Sequence, residues 1–140
     1  MHKLNLKSTK KTVISDSLEV SLAYQNFEES RNDRKVGSIE QRIRTEEVDA
    51  LSGNIDLQKR LSRKTKLSYG AEYIYNLVGS VGQIRNIENG GLKPTSSRYP
   101  DGSTWTSSGV YANLTNRWNI RHRTEGGLRV NRVAVAEEFG

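Results

Sequence analysis

Three observations predict the fold class of this chain. Apolar and polar residues alternate with period two in several separate segments, no run of 18 apolar residues exists for a membrane helix, and short turns alternate with long loops. Together they predict an all-β chain of antiparallel up-and-down strands. The expected architecture is a partial segment, about six strands, of a transmembrane β-barrel spanning residues 1–140.

Composition sets the bounds. Only 34% of the 140 residues are hydrophobic and the mean hydropathy is −0.73, low for a chain that must build its own dry core. In a membrane barrel only alternate residues meet lipid, so a spanning strand can have unremarkable average hydropathy. The chain has no cysteine, which excludes a disulfide framework and a thiolate zinc site. Its net charge of +6 would suit nucleic acid. The charges are scattered, however, with Lys7, Lys10 and Lys11 the one compact group, so nucleic acid is not expected as a partner. The opening Met-His-Lys-Leu-Asn-Leu-Lys has no apolar stretch, and neither a secretory signal nor a plug domain is expected within these residues.

The strands follow in order. Residues 3–7 place Leu4 and Leu6 on one parity, and Leu18, Val20, Leu22 and Tyr24 then alternate with Glu19, Ser21, Ala23 and Gln25. A long candidate covers about residues 39–61, in which Leu51, Gly53, Ile55, Leu57 and Leu61 oppose Ser52, Asn54, Asp56, Gln58 and Arg60. The clearest case is residues 66–78. There Leu67, Tyr69, Ala71, Tyr73, Tyr75 and Leu77 share a parity against Ser68, Gly70, Glu72 and Asn76. A helix would scatter these tyrosines around its circumference, whereas a strand gathers them on one face. Val110, Ala112, Leu114, Trp118 and Ile120 repeat the pattern against Tyr111, Asn113, Thr115, Arg117 and Asn119. Leu128, Val130 and Ala134 make a last, weaker strand over residues 125–134, broken by Arg132.

The connections predicted at residues 15–17, 62–65 and 121–123 are short and polar, whereas those at 29–38 and 82–103 are long. The second long one holds Asn89-Gly90-Gly91, Lys93-Pro94 and Tyr99-Pro100-Asp101-Gly102, breakers expected to exclude a strand. Membrane barrels segregate short turns and long loops to opposite sides of the bilayer. A small soluble β-sandwich or β-barrel that binds a ligand or nucleic acid is the alternative, since one packed and one solvated face also gives alternation. Against it stands the length of the strand at residues 39–61, far beyond the ~5–6 residues usual in globular sheets.

No constellation carries catalysis, and no enzyme activity is expected. Glu28-Glu29 and Glu46-Glu47 are adjacent pairs whose side chains point to opposite faces of a strand. His2 and His122 lack metal-ligand spacing, so no cofactor or metal site is expected. Trp118 and Tyr69 lie on the apolar parity close to short turns, as in the aromatic girdle of a barrel. Ligand contact is expected in the second long loop, where Arg98, Tyr99 and Trp105 suit a flat or anionic ligand.

Three phrases resemble a known family in the order the strands require. Tyr24-Gln25-Asn26-Phe27-Glu28-Glu29-Ser30-Arg31 with Asp33-Arg34, then Leu67-Ser68-Tyr69-Gly70-Ala71-Glu72-Tyr73 with Arg98-Tyr99-Pro100-Asp101-Gly102-Ser103, are similar to strands and loops of TonB-dependent outer-membrane receptors. Gly126-Gly127-Leu128-Arg129 resembles a strand start in such barrels. The likeness runs over about residues 2–137 and leans toward the heme and hemoglobin receptor branch. It implies the cell outer membrane, surrounding lipid, a barrel of about 22 strands with an N-terminal plug, coupling to the TonB system through that plug, and import of a siderophore or heme. About six strands are fewer than the ~8 of the smallest membrane barrels, so transport is expected to need more wall than residues 1–140 supply.

Overall fold

The computed structural model describes residues 1–136. Seven strands form one antiparallel sheet: β1 (His2–Ser8), β2 (Ser17–Arg34), β3 (Glu40–Arg60), β4 (Thr65–Asn86), β5 (Leu92–Thr95), β6 (Ser103–Arg117) and β7 (Arg123–Ala136). Neighbours run β1-β2-β3-β4-β6-β7, with β5 paired to β4, so the sheet is open with β1 and β7 at its ends. Sequential hairpins produce this order without a crossover, as up-and-down topology requires.

Contacts divide the chain into two units. Unit 1 comprises Met1–Tyr24, Leu51–Tyr75 and Thr106–Ala134, and unit 2 comprises Gln25–Ala50 and Asn76–Trp105 together with Val135 and Ala136 of the described residues.

In unit 1 the register obeys the apolar pattern. Leu4 faces Leu22 and Leu6 faces Val20 across β1 and β2, while Lys7 faces Glu19 on the other parity. A slip of one residue would set leucine against serine and turn every apolar side chain to the opposite face. Exposure is inverted relative to a soluble sheet. On β4, Ala71 and Tyr73 are exposed while Gly70 and Glu72 are only part-exposed, and on β6 Val110, Ala112 and Leu114 are exposed while Tyr111, Asn113 and Thr115 are less so. Among the described residues no hydrophobic side chain is buried, and the buried polar ones are Ser15, Ser80 and Ser103. A soluble sandwich would need a second layer over the apolar parity, and the described residues form one open sheet.

In unit 2 the alternation fades. The stretch from Gln25 to Arg34 has Phe27 as its large apolar residue, 61% exposed, among charged and amide side chains. Charge pairs replace apolar ones: Asn26 Nδ2 donates to Glu47 at 2.8 Å and to Asp49 at 3.0 Å, and Arg44 lies 3.9 Å from Asp33.

Four expectations need correction. Residues 29–34, predicted as loop, continue β2, because the hairpin partner β3 begins at Glu40 and supplies backbone bonds that charged side chains do not disturb. The loop expected to exclude strands contains β5, whose Pro94 pairs with Gln83. The backbone bond from Asn86 N to Gly91 O sets the alternation, and it leaves Pro94 at a non-hydrogen-bonded position where no N–H is required. Residues 118–120, predicted to end a strand, lie beyond β6, since Asn119 Oδ1 accepts from the backbone of Arg121 and His122 and folds a turn. The first short turn, expected at 15–17, is a longer connection from 9 to 16 that Thr12 and Ser15 tie together.

Candidate functional site

The loop region of unit 2 holds the predicted contact residues. Gly102, at φ 80°, takes the left-handed conformation that ends this loop, and its N–H donates to the Val78 carbonyl at 3.0 Å. Asp101 Oδ1 accepts from the Ser80 backbone at 3.0 Å, and the Tyr99 N–H reaches Ser80 Oγ at 3.4 Å. Ser103 Oγ donates to the Pro100 carbonyl at 2.8 Å. Gly82 permits this close approach: a Cβ there would meet the carbonyls of Ser96 and Thr95 at 2.6 and 2.7 Å. The loop is therefore pinned onto β4 by polar contacts.

On that platform Arg98 lies with its guanidinium carbon 5.4 Å from the Tyr99 ring centroid, a cation-π contact. Its Nη1 lies 3.9 Å from Glu46 on β3, which orients the group while leaving it 46% exposed. An exposed guanidinium stacked on an aromatic ring can take an anionic or planar ligand. Trp105 is not part of the loop. It is the third residue of β6, 40% exposed, and its carbonyl accepts from Asn76 Nδ2 at 3.4 Å. The structure thus brings Arg98 and Tyr99 together and sets Trp105 on a strand.

Sequence reasoning missed a second feature of unit 2. A cavity of about 810 Å³ is lined by Asp33, Arg34, Lys35, Glu40, Arg42 and Ile84, at the tip of the β2–β3 hairpin. The charge density of residues 28–47 was the available signal, and it reads as a solvated rim unless the strand extension is known. Among the described residues no group of His, Cys, Asp or Glu could hold a metal ion.

The polar parity of unit 1 has its own construction. Tyr111 on β6 reaches across Gly70 of β4 and donates its hydroxyl to Asp56 on β3. One row along, Arg129 of β7 pairs with Glu72 of β4 across Gly109 of β6. Each glycine removes the side chain that would stand between the partners. Closer to the turn, Asn113 donates to Glu125, which also pairs with Arg123 at 2.8 Å. These links cross-brace four strands through polar groups on a face that holds no apolar core.

Tyr69 and Trp118 were predicted as girdle residues. Trp118 is 58% exposed and donates Nε1–H to Thr124 Oγ1 at 3.0 Å, while the Tyr69 hydroxyl donates to the Ile14 carbonyl at 2.6 Å. Each has a polar end satisfied and an apolar body, the arrangement favoured at a membrane–water boundary.

A fold built from long hairpins with an outward apolar parity defines a class, the wall of a β-barrel. In agreement, the structure is similar to copper transporter OprC, with a TM-score of 0.75, 17% sequence identity and 95% of this chain covered. The chain spans 22% of the length of that protein. No family model matches the sequence, and no curated protein matches it.

Proposed function

We propose that this chain is a wall segment of a TonB-dependent outer-membrane receptor that imports a scarce ligand of the iron-siderophore or heme class. One observation carries the reading: the apolar parity of the strands is the more exposed one, with Leu22, Tyr73, Val110 and Leu114 exposed at 47%, 50%, 58% and 45%. Water does not stabilise such a face, and lipid does. From Leu67 to Leu77 the apolar run of β4 is about 33 Å long at ~3.3 Å per residue. At a tilt of ~40° this spans about 25 Å, the height of the outward band of membrane barrels. The similarity to a copper transporter supports a transport role for the barrel to which the segment belongs.

In this reading the partners are outer-membrane lipid, the remaining barrel wall, a plug, and the TonB system acting through that plug. The segment has no catalytic task. Arg98 and Tyr99, stacked in the loop that precedes β6, are the groups offered to arriving ligand, with Trp105 on β6 itself. Sidedness tests the proposal. An epitope inserted beside Gly90 in the full receptor should be labelled by antibody on intact cells, and one beside Arg63 should stay unlabelled until the outer membrane is opened. Labelling of both on intact cells would defeat the topology. Replacing Arg98 with Glu should reduce ligand uptake while leaving the amount of folded receptor unchanged.

A further inference from the structure

The apolar parity of β6 ends at a turn of different chemistry. A cavity of about 490 Å³ there is lined by Lys64, Arg117, Trp118, Ile120, Arg121 and Arg123, among others. The turn is rigidly tied: Arg117 N donates to the Lys64 carbonyl at 2.8 Å, Trp118 N to the His122 carbonyl at 3.0 Å, and Lys64 Nζ to the Trp118 carbonyl at 3.2 Å. These bonds collect the cations around the indole. Arg123 pairs with Glu125, while among the described residues no ion pair joins Lys64, Arg117 or Arg121 to a carboxylate. Beside this charge, Trp118 is 58% exposed and Ile120 103% exposed.

We infer that this patch binds the anionic headgroup of a phospholipid, with Lys64, Arg117 and Arg121 on the phosphate and Trp118 and Ile120 in the acyl boundary. A free phosphate would gain from the cations and nothing from the two apolar side chains. A headgroup gains from both, because guanidinium groups hold phosphate oxygens in pairs while an indole settles at the headgroup level. The position agrees: Trp118 follows directly on Arg117, the last residue of β6, so the patch lies where the strand that carries Val110, Ala112 and Leu114 stops. This inference rests on the membrane reading above and adds a lipid preference to it.

The test uses the full 140-residue chain, purified in detergent and diluted into phosphatidylcholine vesicles or vesicles that also contain phosphatidylglycerol. Flotation measures binding, and bromine-labelled lipid quenches Trp118 in a Trp105→Phe background. Binding to both vesicles, tighter with phosphatidylglycerol, is expected. Each cation near an anionic surface contributes about fivefold, so Lys64→Gln, Arg117→Gln and Arg121→Gln should each remove about that factor from the phosphatidylglycerol preference alone. Arg117→Lys and Arg121→Lys, which keep the charge and lose the paired bonds, should remove only part of it. The same loss from Arg34→Gln, Lys35→Gln and Arg42→Gln would show general charge attraction and overturn the site. Equal binding to both vesicles would overturn the lipid preference and leave the membrane reading standing. Binding to neither would overturn both, and Trp118 unquenched in bound protein would overturn the patch.

Discussion

Unit 1 carries fourteen Lys and Arg against five Asp and Glu, whereas the described residues of unit 2 carry eight against nine. Net charge alone, +9 against −1, would make the more basic unit the more water-soluble one. Placement says otherwise. In unit 1 the cations cluster at strand ends and turns, at Lys10, Lys11, Arg60, Arg63, Lys64, Lys66 and Arg117, and leave the middle of the apolar parity free of charge in β1, β2, β4 and β6. In unit 2 the charges occupy the strands themselves, from Glu28 to Asp49. A strand needs only ~9–11 residues to cross a bilayer, and β3 and β4 have 21 and 22. The excess is the part that can carry charge on both faces, and the comparison teaches that position along a strand, not composition, separates apolar-faced from charged surface.

The largest expected effect breaks this contrast. In the proposed membrane reading Leu114, four residues before Trp118, lies about 10 Å from the interface along a tilted strand, near the middle of a ~25 Å band. In a barrel folded into lipid, Leu114→Arg should cost about 2–4 kcal/mol, whereas Asn113→Arg on the polar parity and Phe27→Arg in unit 2 should cost about 0–1 kcal/mol. Folding titrations into vesicles measure all three. Equal costs at Leu114 and Phe27 would erase the distinction between the units.

Glycine substitutions sharpen it. At Gly70 an added Cβ would meet the Ile55 carbonyl and the Tyr111 ring, so Gly70→Ala must displace the backbone of β3 or break the Tyr111–Asp56 bond. About 1–3 kcal/mol of global destabilisation is expected from that clash. Gly82→Ala in unit 2 meets the carbonyls of Ser96 and Thr95 instead. Its effect should be local, a loss of hydrogen-exchange protection at residues 92–103 with little change in the folding midpoint, because loop opening and global unfolding are separate events. Similar midpoint shifts for both would mean that the loop contributes to the sheet as much as the strands do.

Much of unit 1 was legible because period two survives in its residues. Leu4, Leu22, Tyr73, Val110 and Leu114 sit on the exposed parity that alternation predicts, and the fold class follows from them. Unit 2 was legible only in part. Residues 29–34 carry no alternation, so their pairing, imposed by the β3 partner, had no local signal, and Pro94 gave a signal of the wrong sign because its position in the ladder depends on register. Among the contact residues, Arg98 and Tyr99 were adjacent in sequence and their stacking could be anticipated, whereas Glu46 as the partner of Arg98 could not. The glycine-spanned bridges Glu72–Arg129 and Asp56–Tyr111 were invisible for the same reason: they join residues on strands that are not adjacent, and only the register shows that a glycine stands between them.

The smallest expected effect concerns the turn that precedes β2, outside the strands. The Asp16 carboxylate accepts from the Arg60 backbone N–H at 2.7 Å and lies 3.3 Å from Lys59 Nζ, which itself donates to the Thr12 carbonyl at 2.6 Å. The Arg60 backbone bond chiefly, with Lys59 and Lys11 adding to it, holds the carboxyl below its ordinary value of 3.8 against the opposing desolvation. The sign follows from linkage: a carboxyl whose pKa is lower folded than unfolded stabilises the turn at pH above the unfolded value, and that contribution is lost as pH falls through the folded value. Protection of the Arg60 amide against hydrogen exchange should therefore be constant near neutrality and decline in acid below about pH 4. Asp16→Asn should lower that protection at neutral pH and flatten the acid decline, while Glu46→Gln in unit 2 should leave the Arg60 profile unchanged. An acid profile that survives Asp16→Asn would assign the dependence to another carboxylate of the turn region.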